Sequence, residues 1–329
     1  MNQPERLVQQ NRQNPPVKAR HATAGLYRQI DITRCRIIVF DDADNPLDEL
    51  LRARLRITEG AHIRLWALRK AMELIDAINR GTTGQPFFAL RETEQTLREL
   101  DGRTGKPLVE ALLAMKGGTR ITPHGLENVP SKGPVVIAST HPIGTFDFVA
   151  HAGGLLDHRS DLKVVAGREA ERFLSAEFLI AVDLDRQDKV LTARQTIAGM
   201  TEHLQDNGAL LIFGSGRVPT MRNGLLIEPP WRSGVTRVSK ACNAPIVPAS
   251  ADMRNSRHYY RTRNAAAFLS GGNDEFGRRV SSLRYASELF SKLGGSYDVH
   301  YGPIQPAGTT PEVLKELAEN MVPGLYNRK

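Results

Sequence analysis

Four short apolar runs, at residues 135–138, 162–166, 209–213 and 246–249, are separated in this chain by longer stretches whose apolar residues recur at helical spacing. Runs of four or five aliphatic residues, punctuated by Gly, Pro and Asn, suit strands covered on both faces better than buried helices. Their alternation with helices predicts an α/β fold with a mostly parallel sheet flanked by helices. A further strand is expected at 297–301, followed by a helix from Pro311 to Asn320 that Thr310 caps.

The first run leads into Thr140-His141-Pro142-Ile143-Gly144-Thr145-Phe146-Asp147. Pro142 and Gly144 favour a turn over immediate entry into a helix. The turn matters, because six residues along one helix would set His141 and Asp147 about 240° apart, on largely opposed faces. Brought together by a non-helical loop, they make an imidazole held by a carboxylate. The carboxylate fixes the tautomer and stabilises the imidazolium that forms when the other ring nitrogen takes a proton from a hydroxyl or amine. Taken alone, such a pair reads first as a structural histidine in a surface turn, since such pairs also arise structurally.

With 329 residues the chain can bury a substantial core, and a 40% hydrophobic content describes a globular protein. Its apolar runs fall well short of the roughly 18–20 residues that span a bilayer. The start, Met1-Asn2-Gln3-Pro4-Glu5-Arg6, lacks a signal-peptide core. The expected location is cytoplasmic, with membrane contact peripheral and at the inner face. A formal net charge of +8 favours anionic partners: a phospholipid surface, CoA phosphates, an acidic carrier protein or nucleic acid. Nucleic acid is disfavoured, since aromatics are 6% of residues and no RNP, zinc-finger or helix-turn-helix pattern accompanies the arginines. Cys35 and Cys242 have no Cys or His at metal-ligand spacing, so no metal is expected and both thiols are read as reduced.

Three regions follow from the patterning. Residues 1–24, rich in Gln, Asn, Arg and Pro, read as a flexible polar arm. Residues 25–118 form a mainly helical N-terminal region, and residues 119–329 the α/β part. Within the second, residues 37–40 suggest a strand ending at the acidic turn Asp41-Asp42-Ala43-Asp44-Asn45, a helix-start signal rather than a metal site. Between residues 46 and 79 apolar residues recur at three and four, broken by Gly60, which predicts a helical pair. Its arginines, Arg52, Arg54, Arg56, Arg64 and Arg69, read first as the solvated face of core-packed helices; alternatively they lie on an anionic bilayer with Trp66 as anchor. Residues 81–86 read as a loop, and helices are expected near 90–100 and 107–115.

Beyond the His–Asp segment lie four more blocks in order: Ala181-Val182-Asp183-Leu184-Asp185-Arg186, Leu211-Ile212-Phe213-Gly214-Ser215-Gly216-Arg217-Val218-Pro219, Pro230-Trp231-Arg232-Ser233-Gly234 and Ala244-Pro245-Ile246-Val247-Pro248-Ala249. With the lead-in Gly125-Leu126-Glu127-Asn128-Val129-Pro130 and Gly133-Pro134-Val135-Val136, they resemble the phospholipid and lysophospholipid acyltransferase superfamily, the PlsC-like enzymes with a His-x4-Asp motif. The resemblance covers about residues 119–250 and is strongest to the divergent His-Pro-x-Gly-x-x-Asp branch, which includes hemolysin-like proteins and lyso-ornithine-lipid acyltransferases. In that branch the spacing is His-x5-Asp, as here. The chain departs from the superfamily pattern at Thr140, where Asn is usual, at Ser215, where the third block has Glu, and at Val218, where that block's Arg is displaced to Arg217.

The resemblance implies a PlsC-like acyltransferase fold and an enzyme that moves a fatty acyl group from a thioester, acyl-CoA or acyl carrier protein, to a hydroxyl of a lysolipid-like acceptor. His141 then takes the acceptor's proton and Asp147 orients it, with no further cofactor. An N-acyltransferase of the same fold with an amine acceptor is one alternative, and a non-catalytic lipid- or acyl-binding protein another. Gly214, Ser215 and Gly216 offer close backbone approach, either for N–H groups facing a phosphate or oxyanion or for a tight turn. Ser215 is not a nucleophile elbow, because Phe213 stands where Gly-x-Ser-x-Gly needs glycine. Arg217, Arg222 and Arg232 supply charge for a phosphate or carboxylate. Arg186 occupies the position of a second-block Arg that shapes the acceptor site, and Arg168 and Glu169 follow a strand end facing the cleft. His124, His151 and His158 are read as structural or solvated.

Overall fold

The computed structural model describes residues 45–55, 57–167, 178–182 and 189–327. Contacts divide the chain into Met1–Asp41 and Asp42–Lys329, and every described residue belongs to the second unit. The polar arm, the strand expected at 37–40, Cys35, Arg168, Glu169 and Arg186 lie outside the described residues.

Four helices come first: α1 (Pro46–Leu55), α2 (His62–Thr83), α3 (Leu90–Glu99) and α4 (Gly105–Ala114). The break at Gly60 falls between α1 and α2, as the periodicity requires. α2 runs on through Gly81 to Thr83, so half of the expected 81–86 loop is helix, and Gly84 ends it in the left-handed region at φ 76°. α2 packs on a small apolar cluster with Leu47, Leu51 and Leu90 through Leu65, Leu68 and Met72. Leu65 and Asp76 are its buried residues, while Ile63, Trp66, Leu74, Ile75 and Ile78 are exposed along one side. Polar contacts fasten the helix as well. Arg69 donates to Asp48 on α1 and to Glu94 on α3, each at 2.8 Å, and the buried Asp76 accepts the Phe88 and Leu90 N–H groups that start α3.

The α/β part follows as β1 (Arg120–His124), β2 (Val135–Ser139), α5 (Thr145–Leu155), β3 (Lys163–Gly167), β4 (Leu179–Val182), α6 (Lys189–Gln205), β5 (Ala209–Phe213), the hairpin β6 (Thr220–Arg222) and β7 (Leu225–Ile227), α7 (Gly234–Ala241), β8 (Ile246–Ala251), α8 (Arg257–Leu269), α9 (Asp274–Ser282), α10 (Tyr285–Lys292), β9 (Ser296–Tyr301) and α11 (Pro311–Asn320). Pro311 opens α11 as expected, but Thr310 at its N-cap makes no side-chain capping bond.

Seven strands form one sheet in the order β1-β9-β8-β2-β5-β3-β4, parallel throughout except where β8 meets β9. β2 is buried at every position, which suits an uninterrupted Val-Val-Ile-Ala run. Because side chains alternate across a strand, Val135 and Ile137 enter one core layer with residues of α4, α5 and α10, while Val136 and Ala138 enter the other with residues of α6, α7 and α11. Helices therefore cover both faces.

From β2 the chain passes through β3 and β4 back to β5, beside β2, and then crosses to β8 on the other side of β2. The strand order reverses there, and α/β sheets bind ligands beyond the carboxyl ends of strands at such a point. Ser139 is in register with Phe213 on one side and Ala249 on the other, so three strands release their loops together.

Candidate active site

β2 leaves the sheet at Thr140, whose amide still donates to the Ala249 carbonyl at 3.2 Å. The Thr140 side chain turns inward to Ser250, with 3.0 Å between the hydroxyls, so the Thr in place of Asn serves the sheet. Pro142 and Gly144 then keep residues 141–144 out of the helix. Gly144 has φ 113°, where a side chain is strained and a Cβ would press on the Tyr285 ring at 3.1 Å. α5 begins at Thr145, which makes Asp147 its third residue. The Asp147 carboxylate accepts from the Gly144 N–H at 2.9 Å and the Ile143 N–H at 3.0 Å, a capping arrangement that fixes its position. From the opposite side Asn255 Nδ2 donates to the Pro142 and Ile143 carbonyls at 3.2 and 3.1 Å.

The loop brings His141 and Asp147 together. Nδ1 lies 2.8 Å from Asp147 Oδ2, with the carboxylate fully buried and the imidazole 18% exposed. The approach is close but poorly angled, so Nδ1 makes no proper hydrogen bond; such misalignment is common in catalytic pairs without substrate. Asp147 faces Nδ1, which leaves Nε2 as the ring nitrogen that the carboxylate does not engage. Phe213 backs the imidazole, with ring centroids 4.3 Å apart and planes inclined by 24°.

A second histidine lies beneath the first. His151, four residues beyond Asp147 and hence on the same side of α5, is fully buried. Its Nε2 is 2.8 Å from Ser139 Oγ and its Nδ1 3.3 Å from the Tyr301 hydroxyl. Burial, with a smaller contribution from His141, pushes its pKa down to about 3, so it is a neutral structural imidazole at physiological pH. His124 and His158 also have structural contacts, with the Asp298 carboxylate at 2.7 Å and the Val129 carbonyl at 2.6 Å.

In the third block Gly214 is required by Trp231, since a Cβ there would lie 2.0 Å from the indole. The Gly214 and Gly216 amides are already bonded, to the Ser139 carbonyl at 2.9 Å and the Phe213 carbonyl at 3.0 Å. The tight-turn reading thus accounts for these two N–H groups. Ser215 is buried, and its hydroxyl donates to the Arg217 carbonyl at 2.9 Å and accepts from the Arg217 amide at 3.2 Å. Val218 sits in a core cluster with Leu226 and Tyr259. Arg217, Arg222 and Arg232 are all exposed. Arg232 is tied beside the site by its amide, 2.9 Å from the Gly214 carbonyl. Arg217 faces the acidic start of α9, where Arg263 and Arg217 hold Asp274, and Arg278 and Arg217 hold Glu275, below the usual carboxylate range.

Glu228, not singled out by the sequence, is buried with Oε1 accepting from Trp231 Nε1 at 3.1 Å and Oε2 without a hydrogen-bond partner. Burial pushes its carboxyl up to about 8. Among the described residues no three His, Cys, Asp or Glu side chains converge as a metal-binding group, and no helix is long and apolar enough to cross a membrane.

The Acyltransferase family model matches residues 120–252, from the start of β1 to just past β8. A lyso-glycine lipid O-acyltransferase of Bacteroides thetaiotaomicron is 23% identical over 239 residues, covering 69% of this chain and 82% of the relative. Among solved structures, the 1-acyl-sn-glycerophosphate acyltransferase PlsC of Thermotoga maritima matches with a TM-score of 0.39 at 12% identity, over 72% of this chain and 85% of that one. The matched segment contains β2, the His141 loop, Asp147 and the Gly214 turn, and residues 120–252 are thereby identified as an acyltransferase domain, similar to that of lipid acyltransferases.

Proposed function

We propose that this enzyme is an O-acyltransferase carrying a fatty acyl group from a thioester donor, acyl-CoA or acyl carrier protein, to the hydroxyl of a lysolipid. The observation that carries this reading is the 2.8 Å approach of His141 Nδ1 to a buried carboxylate at the point where the strand order reverses. The acceptor hydroxyl gives its proton to His141 Nε2 as its oxygen attacks the thioester carbonyl. The C–S bond breaks when the tetrahedral intermediate collapses, and the imidazolium returns the proton to the departing thiolate. Asp147 stabilises the imidazolium in between.

The acceptor we favour is a lysolipid of the lyso-glycine lipid type, on the strength of the Bacteroides relative and the His-x5-Asp spacing shared with the lyso-ornithine-lipid branch. The exposed Arg217, Arg222 and Arg232, with Arg186, suit the phosphates of the donor. The exposed apolar side of α2 and the +8 charge favour peripheral seating on an anionic bilayer.

Labelled acyl-CoA and acyl carrier protein, each offered with lyso-glycine lipid, lysophosphatidic acid, amino acids and polyamines, test the reading by mass spectrometry. Ester formation on a lysolipid that disappears in a folded His141→Ala variant supports it. Transfer to an amine, or turnover that survives His141→Ala, overturns it.

A further inference from the structure

We propose that a cavity beside the His141 loop seats the acceptor's headgroup and is built for one carboxylate next to an amide N–H, as in an N-acylated amino acid. The assignment rests on the lysolipid reading above and names the part of the acceptor that the enzyme recognises.

The cavity has a volume of about 330 Å³ and is lined by Asp252, Arg254, Lys292, Tyr297 and Leu325, among others. That size falls within the range of small-molecule sites. Its walls border the reacting pair. The Tyr297 ring meets Phe146, the neighbour of Asp147, edge-on at 5.2 Å. Arg254 directly precedes Asn255, which holds the Pro142 and Ile143 carbonyls. The Tyr297 hydroxyl donates to the Lys292 carbonyl at 3.0 Å, locking the end of α10 to β9. A headgroup in this cavity therefore lies next to the loop that presents His141.

The charges select among anions. Arg254 commits one donor, Nη1, to the Gly224 carbonyl at 3.3 Å, which leaves most of its guanidinium fork for a ligand. The Lys292 ammonium is held below its ordinary pKa by burial and by the Arg254 charge, against the pull of Glu288 and Asp147. An anion between the two cations relieves that repulsion. Among the residues lining the cavity, Arg254, Lys292 and Asp252 leave one net positive charge, which one carboxylate neutralises; Glu288 and Asp147, outside the lining, are engaged by Ser256 and by the His141 loop. A phosphate monoester dianion overshoots that charge and also faces Asp252. Asp252 instead accepts from an N–H, which a headgroup amide supplies and a phosphate ester lacks.

Isothermal titration of the full chain with N-octanoylglycine, its methyl ester and octyl phosphate tests the assignment without requiring turnover. The glycine derivative should bind at least about tenfold more tightly than either analogue, and Lys292→Gln or Arg254→Gln should each remove about tenfold or more, as expected for a lost charged hydrogen bond. Lys292→Arg should retain binding within a few-fold. Arg254 is exposed and Lys292 only partly buried, so melting curves should stay native. In turnover the Gln variants should raise the acceptor KM and leave the donor KM unchanged. Equal binding of the methyl ester, preference for octyl phosphate, native affinity in both Gln variants, or a raised donor KM each overturns the assignment. Carboxylate binding here by a protein that acylates no lysolipid would sink the proposed activity and leave the cavity assignment standing.

Discussion

The imidazole of His141 lies almost parallel to the ring of Phe213, 4.3 Å away between centroids. The register of β5 against β2 produces this contact, since Phe213 pairs with Ser139 two residues before His141. With Asp147 at one ring nitrogen and Phe213 on one face, two of the imidazole's degrees of freedom are constrained from different elements, α5 and β5.

Phe213→Leu preserves an apolar side chain and removes the flat surface. Its stability cost should stay below about 1.5 kcal/mol, as for a near-volume-conserving core exchange. The rate should suffer more, because misplacing a catalytic group by an ångström can cost on the order of 100-fold. We expect kcat to fall about 10- to 100-fold with the urea midpoint little changed. A native kcat would show that Asp147 alone orients the ring.

Asp147 has two separable duties, holding His141 and capping α5. Asp147→Asn keeps an oxygen for the Ile143 and Gly144 amides but removes the charge that stabilises an imidazolium, so kcat should fall by ~10²- to 10⁴-fold with little unfolding. Asp147→Ala also removes the cap and should cost a further ~0.5–2 kcal/mol in stability. Parallel kcat and denaturation measurements on the two variants separate these duties. Equal stability of Asn and Ala would mean that the capping bonds contribute nothing.

His151 makes the fold sensitive to acid. Its folded pKa of about 3 lies below the unfolded value of 6.5, so the unfolded chain binds the proton first as pH falls. The stabilisation is fully present above pH 6.5 and is lost as pH drops towards 3, at about 1.4 kcal/mol per pH unit, or roughly 2 kcal/mol between pH 6.5 and 5. His151→Asn, which does not titrate there, should show a shallower decline in urea denaturation across that interval. Matching slopes would mean that His151 finds a charged-state partner on protonation.

These elements were not equally legible in the sequence. β2 stands out because burial on both faces demands an unbroken apolar run, and the His141 turn because Pro142 and Gly144 cannot continue into a helix. β1 offered no such signal: as an edge strand reading Arg-Ile-Thr-Pro-His it is partly exposed. For α2 the apolar stripe was visible, but which side faces the core depends on Arg69 reaching Asp48 and Glu94, 21 and 25 residues away. His151 looked isolated because its partners Ser139 and Tyr301 are 12 and 150 residues distant. Phe213 acquires its place from strand register, which local spacing does not encode. The role of Gly214 follows from Trp231, seventeen residues later, only once the third block folds back over β5.

Glu228 should give the opposite pH signature from His151. Its carboxyl is raised from 4.5 to about 8, chiefly by burial, with the Trp231 and Ser215 side chains pulling the other way. The folded state therefore holds a proton that the unfolded state has released above pH 4.5. This contribution is fully present below pH 4.5 and is lost as pH rises through 8. Glu228→Gln is neutral throughout, and its amide oxygen can still accept from Trp231 Nε1. Relative to wild type the variant should gain stability steadily with pH, by on the order of 2–3 kcal/mol between pH 5 and 7. Urea midpoints of the two proteins at pH 5, 6, 7 and 8 measure that difference directly. A constant difference across the series would mean that Glu228 is ionised in the folded protein, and a variant less stable at every pH would mean that the charged carboxylate has a partner which the amide cannot replace.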